Sequence, residues 1–171
     1  MRDVLSSPCS SAPEASAAPG AAGPSRRCRP VLDDVERAEH HRIRRQVFVD
    51  EQRLFVGDDV DAHDAHPCTV HLLGFVDGRP AGTVRLYPLD GRGLWKGDRL
   101  AVLQEHRRSQ VGRPLVRLAV ELAGARGGSR MTASVQATNT RFFTTLGWTP
   151  RGEPFDLLGV PHQTMTIGLS R

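Results

Sequence analysis

"RRSQVGRPLV", Arg107 to Val116, follows the apolar run "RLAV" at 99–102 and leads into a segment of helical periodicity. Leu115, Leu118, Ala119 and Leu122 fall at i, i+3, i+4 and i+7, one face of a helix that Gly127-Gly128 would stop. A strand that runs into a loop and then a helix leaves the first helical N–H groups unpaired at the positive end of the dipole. Such a helix start attracts anions. Arg107, Arg108 and Arg113 add cations beside it, Gly112 allows close backbone approach, and Pro114 sits where a missing N–H costs little. A phosphate-binding loop is one reading of these residues; a solvated helix end is the other.

The flanking segments set the fold. Asp33 or Asp34 would cap a helix through "VERAEHHRIRRQVFVDEQ" (35–52), with Val35, Ala38, Ile43 and Val47 as an imperfect apolar face. "VHLLGFVDGRPAGTVRLYPL" (70–89) reads as two strands joined at Asp77-Gly78, a strong hairpin signal. "LWKGDRLAVL" (94–103) is a third strand, and the alternation in "MTASVQ" (131–136) marks another. "NTRFFTTLGW" (139–148) is a short helix that Asn139 would cap and Gly147 would stop, before two last strands near Trp148–Phe155 and His162–Leu169. The order predicts a mixed α/β (α+β) domain with one central sheet.

The 171 residues divide into an Ala/Pro/Ser/Gly-rich tail, 1–28, expected to be disordered, and one domain, 29–171. Prolines at 13, 19 and 24 interrupt any signal-like apolar run, and no segment approaches the length of a membrane span. Cys9, Cys28 and Cys68 are too widely spaced to imply a disulfide framework, which makes the cytoplasm the expected compartment. Charge is segregated by sign. Six acids between Asp50 and Asp64 stand against one arginine, and six arginines between Arg107 and Arg130 stand against Glu121. The first segment would favour a cationic partner and the second an anionic one. Asp61, His63, Asp64, His66, Cys68 and His71 are all metal-ligand types, but their spacing matches no standard zinc or calcium pattern, so no metal is expected. The pI of about 9.6 comes with no nucleic-acid recognition motif, and none is expected as a partner.

From about Arg29 to the C-terminus the chain resembles the GNAT superfamily of N-acetyltransferases. In that family an R-x-x-G-x-G/A loop after the "RLAV"-type strand holds the pyrophosphate of acetyl-CoA. The counterpart here is Arg107-x-x-Gln110-x-Gly112, with Gln110 in place of the first glycine. The resemblance implies acetyl-CoA as co-substrate, bound by Leu100, Val102, Arg107, Arg108, Gln110, Val111, Gly112, Arg113, Asn139 and Phe143, and a small-molecule amine as acceptor. It leaves a homodimer open. "RRQVFVDEQRLFVGDDVDAHDA", "AGTVRLY" and "GVPHQTM" are similar to a bacterial N-acetyltransferase group associated with nitrogen starvation. Arg44-x-x-Val47-Phe48, Asp61-x-x-Asp64 and Gly82-x-x-Arg85 also resemble elements of acyl-homoserine-lactone synthases, which share the fold. That likeness implies Arg44, Phe48, Asp64 and Arg85 around an acceptor pocket. A purely structural ion-pair network is the other reading.

Acyl transfer to an amine needs a polarised thioester carbonyl, a deprotonated nucleophile and a proton for the thiolate. Backbone N–H groups of the "RLAV" strand would polarise the carbonyl. Glu51 is the first candidate base, His162 the second and Asp61 the third. The family's usual tyrosine acid falls at Phe143, which has no proton to give, and Tyr87 is the only tyrosine in the chain. A longer acyl donor and a non-catalytic acyl-CoA sensor are the alternatives.

Overall fold

The computed structural model describes residues 23–170. Of the expected tail, 1–22 lies outside that range. Arg26–Cys28 does not belong to a tail: it opens strand β1 (Arg26–Pro30), pinned by Ser25 N–H to Asp77 Oδ1 at 2.9 Å. The other strands are β2 (Val70–Val76), β3 (Arg79–Pro88), β4 (Leu94–Val102), β5 (Arg130–Gln136), β6 (Thr149–Leu157) and β7 (Val160–Gly168). They form one sheet in the order β1-β2-β3-β4-β5-β7-β6, antiparallel everywhere except between β4 and β5.

Helices α1 (Asp34–Arg45), α2 (Gly112–Ala125) and α3 (Thr140–Thr144) complete the domain. Neighbouring strand residues point to opposite faces. Leu72 packs with Leu115, Val116, Ala119 and Ala123 of α2, whereas Leu73 packs with Ile43, Val47 and Phe48. The sheet is thus covered by α2 and α3 on one face and by α1 on the other.

Two apolar faces differ from the sequence reading. In α1, Val35 and Ala38 are exposed; its buried positions are His40, Ile43 and Arg44, and Val47 in the π-helical turn that follows extends them to i, i+3, i+4 and i+7. The pattern looks imperfect because half of the inward face is polar. In α2, Leu118 and Leu122 are half-buried, while Val116 and Ala123 turn fully inward. Asp33 is the cap of α1, accepting from Glu36 N–H at 2.8 Å. Asn139 does not cap α3, since its side chain makes no such bond. Asp77 and Gly78 both have positive φ, 49° and 78°, which is the hairpin turn that suits the strand twist.

Candidate active site

β4 and β5 pair only where Leu94–Lys96 meets Arg130–Thr132. Beyond that point each strand keeps its outer neighbour, β4 with β3 and β5 with β7, and the inner edges part. A cleft of about 290 Å³ opens between them. That volume suits a slender chain more than a bulky ligand. The separated inner edges present backbone N–H and C=O groups with no strand partner across the gap.

A bulge shapes the β4 wall. The β3–β4 register shifts between Thr83 and Arg85, and Arg99 takes φ 53°. The Thr83 hydroxyl holds the Arg99 carbonyl at 3.0 Å. Gly82 lets β3 approach here, because a Cβ would lie 2.8 Å from the Ala101 carbonyl oxygen. Strained bulges of this kind recur beside binding sites.

The cleft has two sorts of lining. Val116, Ala119, Met131, Val135, Phe143 and Trp148 are apolar, with Phe143 and Trp148 edge-to-face at 5.3 Å. Lys96, Asp98, Ser134, Gln136 and His162 are polar. His162 pairs with Gln136 in the β5–β7 register and so shares its face. Its Nδ1 lies 2.7 Å from the Val160 carbonyl, so the neutral ring donates there and carries its lone pair on Nε2. Lys96 reaches across to Ser134 Oγ at 2.9 Å. Burial pushes the Lys96 ammonium below the ordinary lysine value.

At the outer end of β4 the chain forms a 3₁₀ turn over Gln104–Ser109, and α2 then begins at Gly112 without a side-chain cap. Gln110 sits in the left-handed region at φ 61°, where a glycine would rest without strain. Its N–H makes a long bond to the Arg107 carbonyl, 3.4 Å. Gly112 is different. Its φ is not positive, and a Cβ there would make ordinary contacts of 3.6 Å to Val102 and 3.7 Å to Phe142. Neither backbone nor packing demands glycine at 112.

Residues 32–148 match the family model for the acetyltransferase (GNAT) family. The chain belongs to the GNAT family. As a GNAT protein it is an N-acyltransferase that uses acyl-CoA as co-substrate. It is 30% identical over 125 residues to the uncharacterized N-acetyltransferase YjcF of Bacillus subtilis, covering 72% of this chain and 86% of YjcF. An acyl-CoA N-acyltransferase from Pseudomonas aeruginosa superposes with TM-score 0.72 at 24% identity, covering 84% of this chain and 99% of that one. The CoA-dependent acyl-homoserine lactone synthase BjaI superposes with TM-score 0.68 at 22% identity, over 81% of this chain and 78% of its own.

Within this GNAT domain the residues picked out by sequence separate into groups. Leu100, Asn139, Phe143, Phe48 and His162 line the cleft. Val102, Arg107, Arg108, Gln110, Val111, Gly112 and Arg113 do not line it; they follow β4 through the 3₁₀ turn to the start of α2, whose Val116 and Ala119 do line it. Glu51 does not line the cleft. It ends the π-helical turn Gln46–Glu51 and is held by Arg107 at 2.6 Å.

Arg44, Asp64 and Arg85 are buried behind the cleft in one ionic network. Arg44 bonds Asp59 and Asp64, Arg85 bonds Asp61, Asp64 and Asp98, and Arg99 bonds Asp59 and Asp61. With Glu51 on Arg107, four of the six acids between 50 and 64 (Glu51, Asp59, Asp61 and Asp64) therefore face arginines and not an incoming cation. Three arginines against four aspartates leave one negative charge in surplus. Burial opposes ionisation of Asp61, but the hydrogen bonds and charge of Arg85 and the charge of Arg99 outweigh it and hold the carboxyl below its ordinary range. A carboxylate so held is a poor base. The network reaches the cleft through Asp98 and Arg99, which sequence reasoning missed together with Lys96. Only their place on a strand next to the loop could have signalled them.

The residues of metal-ligand type between 61 and 71 do not assemble as one cluster. His63 stacks on Tyr87 at 4.1 Å, and His66 and Cys68 are exposed. Among the described residues, no helix is long and apolar enough to cross a membrane.

Proposed function

We propose that the protein transfers an acetyl group from acetyl-CoA to the primary amine of a small molecule by direct attack within a ternary complex. The observation that carries this is the parting of β4 and β5. The cleft it opens holds His162 among polar residues and runs along Val116 and Ala119 of α2, whose uncapped, arginine-flanked start would take the diphosphate. The thioester arm would lie along the open β4 edge, with its diphosphate at Gly112 and Arg108, and the backbone N–H groups past the bulge would polarise its carbonyl.

His162 takes the amine proton on Nε2 as the C–N bond forms. Lys96, the cleft-lining lysine, returns a proton to the sulfur as the C–S bond breaks, in the place left by Phe143. Solvent then restores both groups. No cysteine among the described residues lines the cleft, so an acyl-cysteine intermediate has no site there. A longer acyl donor is the second reading, favoured by the apolar lining from Val116 to Trp148.

The test is incubation with acetyl-CoA and a panel of amino acids, polyamines and amino sugars, read by mass spectrometry for N-acetylated product. One or more acetylated amines are expected. Tight CoA binding with no product from any amine, and product only from longer acyl-CoAs, are the two results that displace this reading.

A further inference from the structure

On the α1 side of the sheet, His40 and His41 of α1 and His71 of β2 bring three ring nitrogens within 4.8 Å of one another. The Asp64 carboxylate adjoins them, its Oδ1 3.7 Å from His41 Nε2 and 3.9 Å from His71 Nδ1. None of the four residues lines the acyl-CoA cleft.

Hydrogen bonding shows which atoms are free. His40 Nε2 meets the Val84 carbonyl at 3.5 Å, and His71 Nε2 meets the Asp64 carbonyl at 3.3 Å. A carbonyl can only accept, so each neutral ring has its proton on Nε2 and a lone pair on Nδ1. Both Nδ1 atoms and His41 Nε2 are buried without a hydrogen-bond partner. His40 is 0% and His71 3% exposed, with ring centroids 4.9 Å apart. Buried lone pairs without a donor carry the cost of lost hydrogen bonds, and neighbouring ones repel. A cation removes both costs.

We propose that His40 Nδ1, His41 Nε2, His71 Nδ1 and a carboxylate oxygen of Asp64 form a four-coordinate site for a divalent transition metal of the zinc type. Three imidazoles and one carboxylate are donors that zinc takes. The outer features match as well. The far nitrogens of His40 and His71 donate to backbone carbonyls, and Asp64 is itself held by Arg44 and Arg85. Metal–nitrogen bonds of about 2.0–2.1 Å place tetrahedral ligands roughly 3.3 Å apart, so the rings close inward on binding. His41, 30% exposed at its side chain, has the freedom to do this and marks the entry path. With four protein ligands the site is closed and structural. It would clamp α1 to β2 and to the turn that carries the Asp61–Arg85 pair.

The experiment uses the full chain, freed of any affinity tag and stripped with a chelator, then titrated with Co2+ and with Zn2+. The expected result is one equivalent bound, visible absorption of tetrahedral Co2+, displacement by Zn2+ and a raised Tm. His41→Ala and His71→Gln should each weaken binding at least about tenfold, while Cys68→Ser and His66→Gln leave it unchanged. Should His71→Gln fail to fold, the half-exposed His41→Ala decides alone. The site is refuted by no stoichiometric binding at micromolar metal, by octahedral Co2+, or by binding that survives His41→Ala or is lost in Cys68→Ser. A buried water then occupies the pocket. Metal binding is read without turnover, so its failure leaves the acyltransferase reading intact.

Discussion

Both carboxylate oxygens of Glu51 lie 2.6 Å from Nη2 of Arg107, joining the end of the helical turn after α1 to the loop before α2. The carboxylate that sequence reasoning favours as base is therefore occupied by the arginine it favours for diphosphate. Both side chains are more than a third exposed or close to it, 34% and 43%, so the pair is a weak one of about 0.2–1 kcal/mol. Glu51→Gln should free Arg107 and lower the KM for acetyl-CoA by up to about fivefold, with kcat little changed. A large fall in kcat at unchanged KM would instead make Glu51 the base.

His162 should behave as the proton acceptor. His162→Gln is expected to lower kcat by about 10²–10⁴-fold, the usual contribution of a positioned base. Its Kd for acetyl-CoA, measured by calorimetry, should match the parent protein. Equal losses in kcat and in acetyl-CoA affinity would reduce His162 to a packing residue.

Lys96 is tested through the leaving group. Lys96→Met should slow transfer from acetyl-CoA at least about tenfold, yet spare transfer from an acetyl thioester whose thiol is already acidic and leaves without help. If both donors slow alike, Lys96 has no part in protonating sulfur.

The loop at the start of α2 yields two opposite expectations. Gln110→Gly should relieve left-handed strain of about 1–2 kcal/mol and raise Tm, without weakening acetyl-CoA binding. Gly112→Ala should leave Tm nearly unchanged, given the ordinary contacts its Cβ would make, and still weaken acetyl-CoA binding. Thermal melts with and without acetyl-CoA check both, and a Gly112→Ala protein with normal affinity would remove the diphosphate from this helix start.

Burial pushes the Cys28 thiol up to about 11, whereas Cys68 is exposed. The thiolate is the species that alkylates. At pH 8 Cys68 should be modified before Cys28, and the Cys28 rate should keep rising with pH towards about 11. Acetyl transfer should survive modification of Cys68; its abolition would point to a cysteine in the mechanism.

Much of the fold is readable because local signals agree with it. Asp77-Gly78 has the chemistry of its turn, Gly147 has the left-handed conformation at φ 87° that ends the segment after α3, and β5 alternates as written. The site is less readable. The inward face of α1 carries His40 and Arg44, whose partners lie on β2, β3 and the turn near Asp61, so no apolar period marks it. Lys96, Asp98 and Arg99 matter because β4 bulges and parts from β5, and neither event has a local signal. His41 and His71 lie thirty positions apart, and only the packing of α1 on β2 makes them neighbours.

The most direct test of the central claim is the initial rate of CoA-thiol release over a matrix of acetyl-CoA and amine concentrations, for the parent protein and for His162→Gln. Direct attack in a ternary complex predicts release that depends on amine, intersecting double-reciprocal lines, and a rate that collapses in the variant. Parallel lines, or release indifferent to amine and to His162, would contradict it.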